Sequence, residues 1–261
     1  MWETVPRHKC CRGIFFVRTT CCSALRKTFF AHYAGLGYNL FMDDTLCGPY
    51  DGIILDIDGT IWNTTGIVAV AWNKAVEESG FDARKVTAQD LQREFGKPMN
   101  VIADDLWQNL LPQQREILLA RCCTEEQIAL RASSLHITYP NVLETVSSLS
   151  EHYSFYVVSN CQNGYVELML EKTGLLPYIK DFECYGRTGK GKAENILMLK
   201  ARAQLSFPLY IGDTQGDADA CAQACVPFAW ASYGFGSVDE GQCAAILRDF
   251  SDLKDILERR R

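Results

Sequence analysis

No apolar run in this 261-residue chain approaches the ~18 residues that span a bilayer, which excludes an integral helical membrane protein. There is no basic excess either: the formal net charge is −6, which argues against nucleic acid as the main partner. Histidine is scarce, at four residues, and none is well placed beside the paired cysteines to complete a metal site. The twelve cysteines fall short of disulfide-scaffold density, and no secretory signal precedes them, so they read as reduced thiols in a cytoplasmic protein. What the chain does have is ordinary globular composition, 48% apolar and 22% charged, which excludes a disordered chain. Its length fits one average domain plus an insertion, and it buries enough surface to fold without a disulfide or metal staple.

Charge is spread unevenly. Residues 1–41 hold six basic residues (Arg7, Lys9, Arg12, Arg18, Arg26, Lys27) against one acid, Glu3, and the remainder is acidic. This segment shows no clear helical or strand period. Its arginine-rich, acid-poor composition is that of a transit peptide. It also suits a basic extension that binds something acidic, or a mis-assigned upstream stretch with Met42 as the true start, which is the reading preferred here. The organisation expected is therefore a basic extension over 1–41, a core over 42–65 and 144–261, and a helical insertion over 66–143.

From Met42 onward the pattern is α/β. DGIILDI (51–57) is a short apolar run ending in acids, the signature of a buried parallel strand. Helical spacing follows over 66–80, closing on Gly80, and then over 87–95 with Thr87 as N-cap, 99–110, 112–122 and 124–134. No strand signal interrupts these helices. Pro140 is expected to open a further helix. Alternation then resumes: strand 154–159, helix 163–173, strand 181–185, helix 193–204, strand 207–212, helix 217–224, strand 226–231 and a last helix near 251–259. This order predicts a Rossmann-like three-layer core, a parallel sheet covered on both faces, plus an inserted all-helical unit. The ligand is then expected at the carboxyl ends of the strands.

Those ends carry the chemistry. The first closes in Asp56-Ile57-Asp58-Gly59-Thr60, the second in Ser159-Asn160, and a later one in Gly212-Asp213-Thr214-Gln215-Gly216-Asp217, with Lys192 opening the helix before it. Taken singly, each has a plainer explanation: a turn-capping acid, ordinary turn chemistry, a solvated lysine, or an N-cap acid at a helix dipole. Together and in this order they are not a chance set. Clustered acids repel one another unless a cation sits among them, and all-oxygen ligands suit a hard ion such as Mg²⁺. A lysine and a hydroxyl beside that ion suit a phosphate.

This set of motifs resembles the haloacid dehalogenase superfamily of hydrolases: DIDGT (56–60), VVSN (157–160), GKGKAENI (189–196) and GDTQGD (212–217). The insertion between the first two motifs is similar to the family's helical type-1 cap. YPNVLETV (139–146) and VPFAWASYGFG (226–236) are similar to the phosphoglycolate-phosphatase-like branch. The resemblance implies that Asp56 is the nucleophile and Asp58 the general acid and base. It implies that Asp56, Asp213 and the Asp58 carbonyl hold Mg²⁺, with Asp217 supporting them. Thr60 would orient the Asp58 turn, and Ser159, with the adjoining Asn160, and Lys192 would grip the phosphate. The lysine motif departs from the family in lacking a proline after it, so Lys190 competes with Lys192, and the AENI that follows favours Lys192.

The expected activity is a Mg²⁺-dependent phosphatase acting on a small phosphorylated metabolite, with no nucleic-acid or membrane partner. The rivals are a phosphosugar mutase of the same fold and a non-catalytic binding protein. A dehalogenase is disfavoured because Asp58 is present, and a phosphonate hydrolase because Ala would stand there. Lys97, in FGKP, could reach the substrate, and Trp62 could line the pocket or pack beneath the cap. Tyr233 and Phe235 are assigned to a loop near the site. Cys161, His136 and His152 are not expected to act.

Overall fold

Four strands bury both of their faces almost completely, as strands do when helices cover a parallel sheet on each side. They are β1 (Ile53–Leu55), β2 (Phe155–Ser159), β4 (Leu209–Gly212) and β5 (Phe228–Ala231). With β3 (Ile179–Cys184) and β6 (Ala245–Leu247) they form a six-stranded parallel sheet in the order β3-β2-β1-β4-β5-β6. The computed structural model describes residues 50–259, so the expectations for residues 1–41 lie outside the described residues. Among the described residues, no helix is long and apolar enough to cross a membrane.

Side-chain alternation splits the core in two. Ile53, Leu55, Phe155, Val157, Leu209 and Ile211 belong to one cluster, whereas Ile54, Tyr156, Val158 and Tyr210 belong to another. Helices α5 (Val142–Leu149), α6 (Tyr165–Thr173) and α10 (Asp252–Glu258) contribute to the first cluster. Helices α8 (Lys192–Ala203) and α9 (Gln215–Ala224) contribute to the second. The short α7 (Tyr185–Thr188) follows β3 directly.

Strand order sets the position of the site. The chain leaves β1 toward β2 and β3 on one side, and toward β4, β5 and β6 on the other. Leu55 pairs with both Val157 and Ile211, so Asp56 emerges at the reversal of strand order, where open α/β sheets bind ligands.

Between β1 and α5 the chain inserts α1 (Thr65–Ser79), α2 (Ala88–Glu94), α3 (Met99–Leu106) and α4 (Pro112–Ala132). Thr87 caps α2 as expected, closing a capping box with Asp90. Three details depart from the sequence expectation. The two helices expected over 112–122 and 124–134 are one helix, α4, ending at Ala132, because no glycine or proline separates them and Thr124 satisfies its hydroxyl within the helix on Ala120 O at 3.0 Å. The helix expected to open at Pro140 starts at Val142, after Asn141 in the left-handed region at φ 63°. Strand β6, edge-placed and only partly buried, carries too short a pattern to read from sequence.

Candidate active site

Asp56 follows β1 and Asp213 follows β4, so the two flank the crevice between adjacent parallel strands. Lys192 is the first residue of α8, and Asp217 lies in the first turn of α9. All four are buried. Lys192 Nζ lies 3.0 Å from Asp56 Oδ1 and also donates to Asp217 Oδ1. The other Asp217 oxygen, Oδ2, accepts from Thr214 N at 3.0 Å and Thr214 Oγ1 at 2.7 Å, which completes the helix cap. Asp217 thereby holds the lysine and the loop at once. Lys190 is exposed, so the geometry brings Lys192 rather than Lys190 to the carboxylates.

Asp58 sits at the turn beyond Asp56. Three donors converge on its Oδ1: Trp62 Nε1 at 3.0 Å, Thr64 Oγ1 at 3.2 Å and the Tyr165 hydroxyl at 2.8 Å. Oδ2 receives none of these bonds. Trp62 was expected to line the pocket or pack beneath the cap, and its indole N–H in fact fixes the Asp58 carboxyl. Tyr165 was not found from sequence at all. Its only sequence signal is its place at the start of α6, the helix that follows β2.

The other expected residues fall around this centre. Ser159 ends β2 and is buried. Asn160 spends its amide group on the cap loop, donating Nδ2 to Gly96 O at 2.8 Å, while its Oδ1 is buried without a hydrogen-bond partner. The Thr60 hydroxyl is likewise buried without a partner, and its carbonyl accepts from the Tyr233 hydroxyl at 2.9 Å. The loop after β5 reaches the site as expected: Phe235 N donates to Asp213 Oδ2 at 2.7 Å, and the Phe235 ring meets Phe95 of the cap. Lys97 borders the cavity next to Asp56 and Asp58. Cys161 is buried, and burial pushes its thiol pKa well up, so it is not a ready nucleophile. His136 lines a separate apolar groove with Val70 and Leu135.

Electrostatically the cluster is overloaded with negative charge. Four carboxylates (Asp56, Asp58, Asp213, Asp217) face one lysine. Burial pushes the Asp56 carboxyl up to about 7 against the pull of Lys192, and Asp217 and Asp58 push it the same way as burial. Burial holds Asp58 at about 6 despite its three donors. Asp213 is raised well above the carboxylate range by burial and then by Asp217 and Asp56. Such a cluster fits a cation. Asp56, Asp213 and Asp217 each offer an oxygen, all within 4.8 Å of one another. Asp213 Oδ1 is buried with no partner, whereas both Asp217 oxygens are engaged, so the donor set points to Asp56 and Asp213 as the carboxylates with coordination to spare. An all-oxygen set of this kind suits a hard divalent ion.

Two glycines let the loops approach this closely. Gly59 has φ 80°, and a Cβ there would overlap the Asp213 carboxylate. Gly234 lies against the same side chain and against Gly59 O. Gly59→Ala is expected to lower stability by about 1–3 kcal/mol from backbone strain alone and to displace Asp213. Gly66→Ala, inside α1 with nothing within 4 Å of the added methyl, is expected to raise stability by about 0.5–1 kcal/mol. Thermal denaturation of the two variants, with activity measured alongside, checks both.

Residues 53–231 match the family model described as haloacid dehalogenase-like hydrolase. The chain is 27% identical over 200 residues to the phosphoglycolate phosphatase of Vibrio parahaemolyticus, an alignment covering 70% of this chain and 84% of that protein. Among solved structures, a protein from Haemophilus somnus described as a "predicted phosphoglycolate phosphatase" superposes with a TM-score of 0.70. It has 20% identity, and the match covers 79% of this chain and 97% of that one. A haloacid dehalogenase-like family hydrolase from Streptococcus pneumoniae superposes with a TM-score of 0.67 at 15% identity, covering 81% of this chain and 99% of that one. Both structures share the fold.

Proposed function

The chain belongs to the haloacid dehalogenase-like hydrolases, and we propose that within this family it is a divalent-metal-dependent phosphatase that hydrolyses a small phosphomonoester through an aspartyl-phosphate on Asp56. The observation that carries this reading is the pairing of two unlike carboxylates. Asp56 is buried and ion-paired to Lys192, while Asp58 lies beside it with one oxygen held by three donors and the other left over.

Each role follows from those surroundings. Lys192 sits against Asp56, where it offsets the repulsion between a carboxylate nucleophile and an anionic phosphate. Asp56 attacks phosphorus as the ester P–O bond breaks, and the departing alcohol oxygen takes a proton from Asp58 Oδ2. Water then attacks the phosphoryl group, Asp58 accepts a proton from that water, and Asp56 is released. Trp62, Thr64 and Tyr165 keep the Asp58 carboxyl in one orientation through both steps. Ser159 and the backbone beyond it border the space for the phosphate. Asp56 and Asp213 would hold the cation, proposed as Mg²⁺, which when bound neutralises phosphate charge. The Vibrio relative is named for phosphoglycolate; for this chain the proposed substrate class is wider, a small soluble phosphomonoester.

Metal removal tests this reading. Activity on an aryl phosphate is expected to fall to background in excess EDTA and to return on adding Mg²⁺. Full activity in EDTA would remove the metal from the account. Measuring transfer to sugar hydroxyls against release of inorganic phosphate separates a phosphatase from a mutase.

A further inference from the structure

The cap presents a second buried acid to the catalytic cavity. Glu126, on α4, is 2% exposed and lines the same small cavity, of about 20 Å³, as Asp56, Asp58, Asn160 and Tyr165. It is no stray surface charge: Trp72 Nε1 donates to Oε2 at 2.7 Å and Gln162 Nε2 to Oε1 at 2.8 Å, one donor from the cap and one from the core.

The cation on this wall is already taken. Lys97 Nζ is bonded to Glu94 Oε2 at 2.7 Å and to Asp105 Oδ2 at 2.8 Å. The Tyr165 hydroxyl and the Trp62 indole are spent on Asp58. Besides Asp58, whose free oxygen gives its proton to the leaving oxygen, what remains on this wall is a set of acceptors: the second lone pairs of Glu126, and Asn160 Oδ1, buried without a partner. Burial pushes the Glu126 carboxyl up to about 7 against the pull of the Gln162 and Trp72 donors, with Asp58's charge adding a little.

Resting on the phosphatase reading above, we propose that the leaving alcohol of the substrate carries hydrogen-bond donors, hydroxyl or ammonium, and no carboxylate. A carboxylate there would meet Glu126 and the Asn160 Oδ1 acceptor with no unpaired cation on this wall to receive it, an arrangement that is disfavoured. A hydroxyl or ammonium would satisfy acceptors that are otherwise short of donors.

Three two-carbon phosphomonoesters that differ only at the far end test this: 2-hydroxyethyl phosphate, 2-aminoethyl phosphate and phosphoglycolate. With the full chain and Mg²⁺, kcat/KM for the hydroxyl and amino esters is expected to exceed that for phosphoglycolate by about tenfold or more. In Glu126→Gln the ratio of hydroxyethyl phosphate to phosphoglycolate should shrink, and because it is a ratio within one enzyme, a partial loss of folded protein cancels. The wild-type order stands on its own should that variant fail to fold. Equal turnover of the three, or a preference for phosphoglycolate, overturns the inference and leaves the phosphatase reading intact, as does hydrolysis of an aryl phosphate without any of the three. No hydrolysis of any phosphomonoester overturns both.

Discussion

Asp56→Asn is expected to reduce phosphatase activity to background while the protein stays folded, because an amide cannot displace an alcohol from phosphorus. The folded state should tolerate the change, since the substitution removes one of several crowded buried charges. Asp58→Asn should fail differently. It removes the proton donor, and general acid–base catalysis is typically worth ~10²–10⁴-fold. The loss should depend on the leaving group: formation of the intermediate suffers less with an activated aryl phosphate, whose oxygen departs with little protonation, than with an alkyl phosphate. Steady-state rates of both variants on an aryl and an alkyl ester, with circular dichroism to establish folding, check the pair. Near-normal turnover by Asp56→Asn would refute covalent catalysis at this residue.

Lys192→Met should be the most destabilising single change in the site. Lys192 is 5% exposed and is the lysine that meets both Asp56 and Asp217. Burial alone would lower its pKa, yet the two carboxylates raise it, so the ammonium is firmly held. Removing one partner of a buried ion pair typically costs about 3–5 kcal/mol because the remaining charge is left uncompensated. For a domain of this size that corresponds to a fall in Tm of roughly 10 °C. Lys190→Met, two residues away and exposed, should stay within about 0.5 kcal/mol of wild type. Thermal denaturation of both variants in EDTA makes the comparison without a cation sharing the load. Equal effects of the two would mean that Lys192 does not balance these carboxylates.

The legible part of this molecule was the part written locally. A strand that ends in acids is a statement about five or six neighbouring residues, so Asp56, Asp58, Asp213 and Lys192 could be placed at strand and helix ends from spacing alone. The sheet followed because its strands alternate with helices. Local signals failed where local chemistry was ambiguous. Nothing in 112–134 breaks the helix, so α4 runs on through residue 123, and β6 is three residues of which one is fully buried. The residues that tune the site were out of reach for another reason. Tyr165 meets Asp58 across 107 positions of chain, and Trp72 meets Glu126 across 54. Such contacts exist only once the cap and the sheet are assembled, and a tyrosine at a helix start or a glutamate mid-helix looks like any other. Trp62 lay close enough in sequence to be noticed, but which atom its indole N–H would serve depended on the tight turn through Gly59.

The most direct measurement is a chemical trap of the intermediate. Asp58→Asn enzyme, incubated with Mg²⁺ and an aryl phosphate and quenched with borohydride, should yield a peptide with homoserine at residue 56, the reduction product of an aspartyl-phosphate. Unmodified aspartate at residue 56, with the phosphoryl group found on another side chain or released while Asp56→Asn still turns over, would contradict the account.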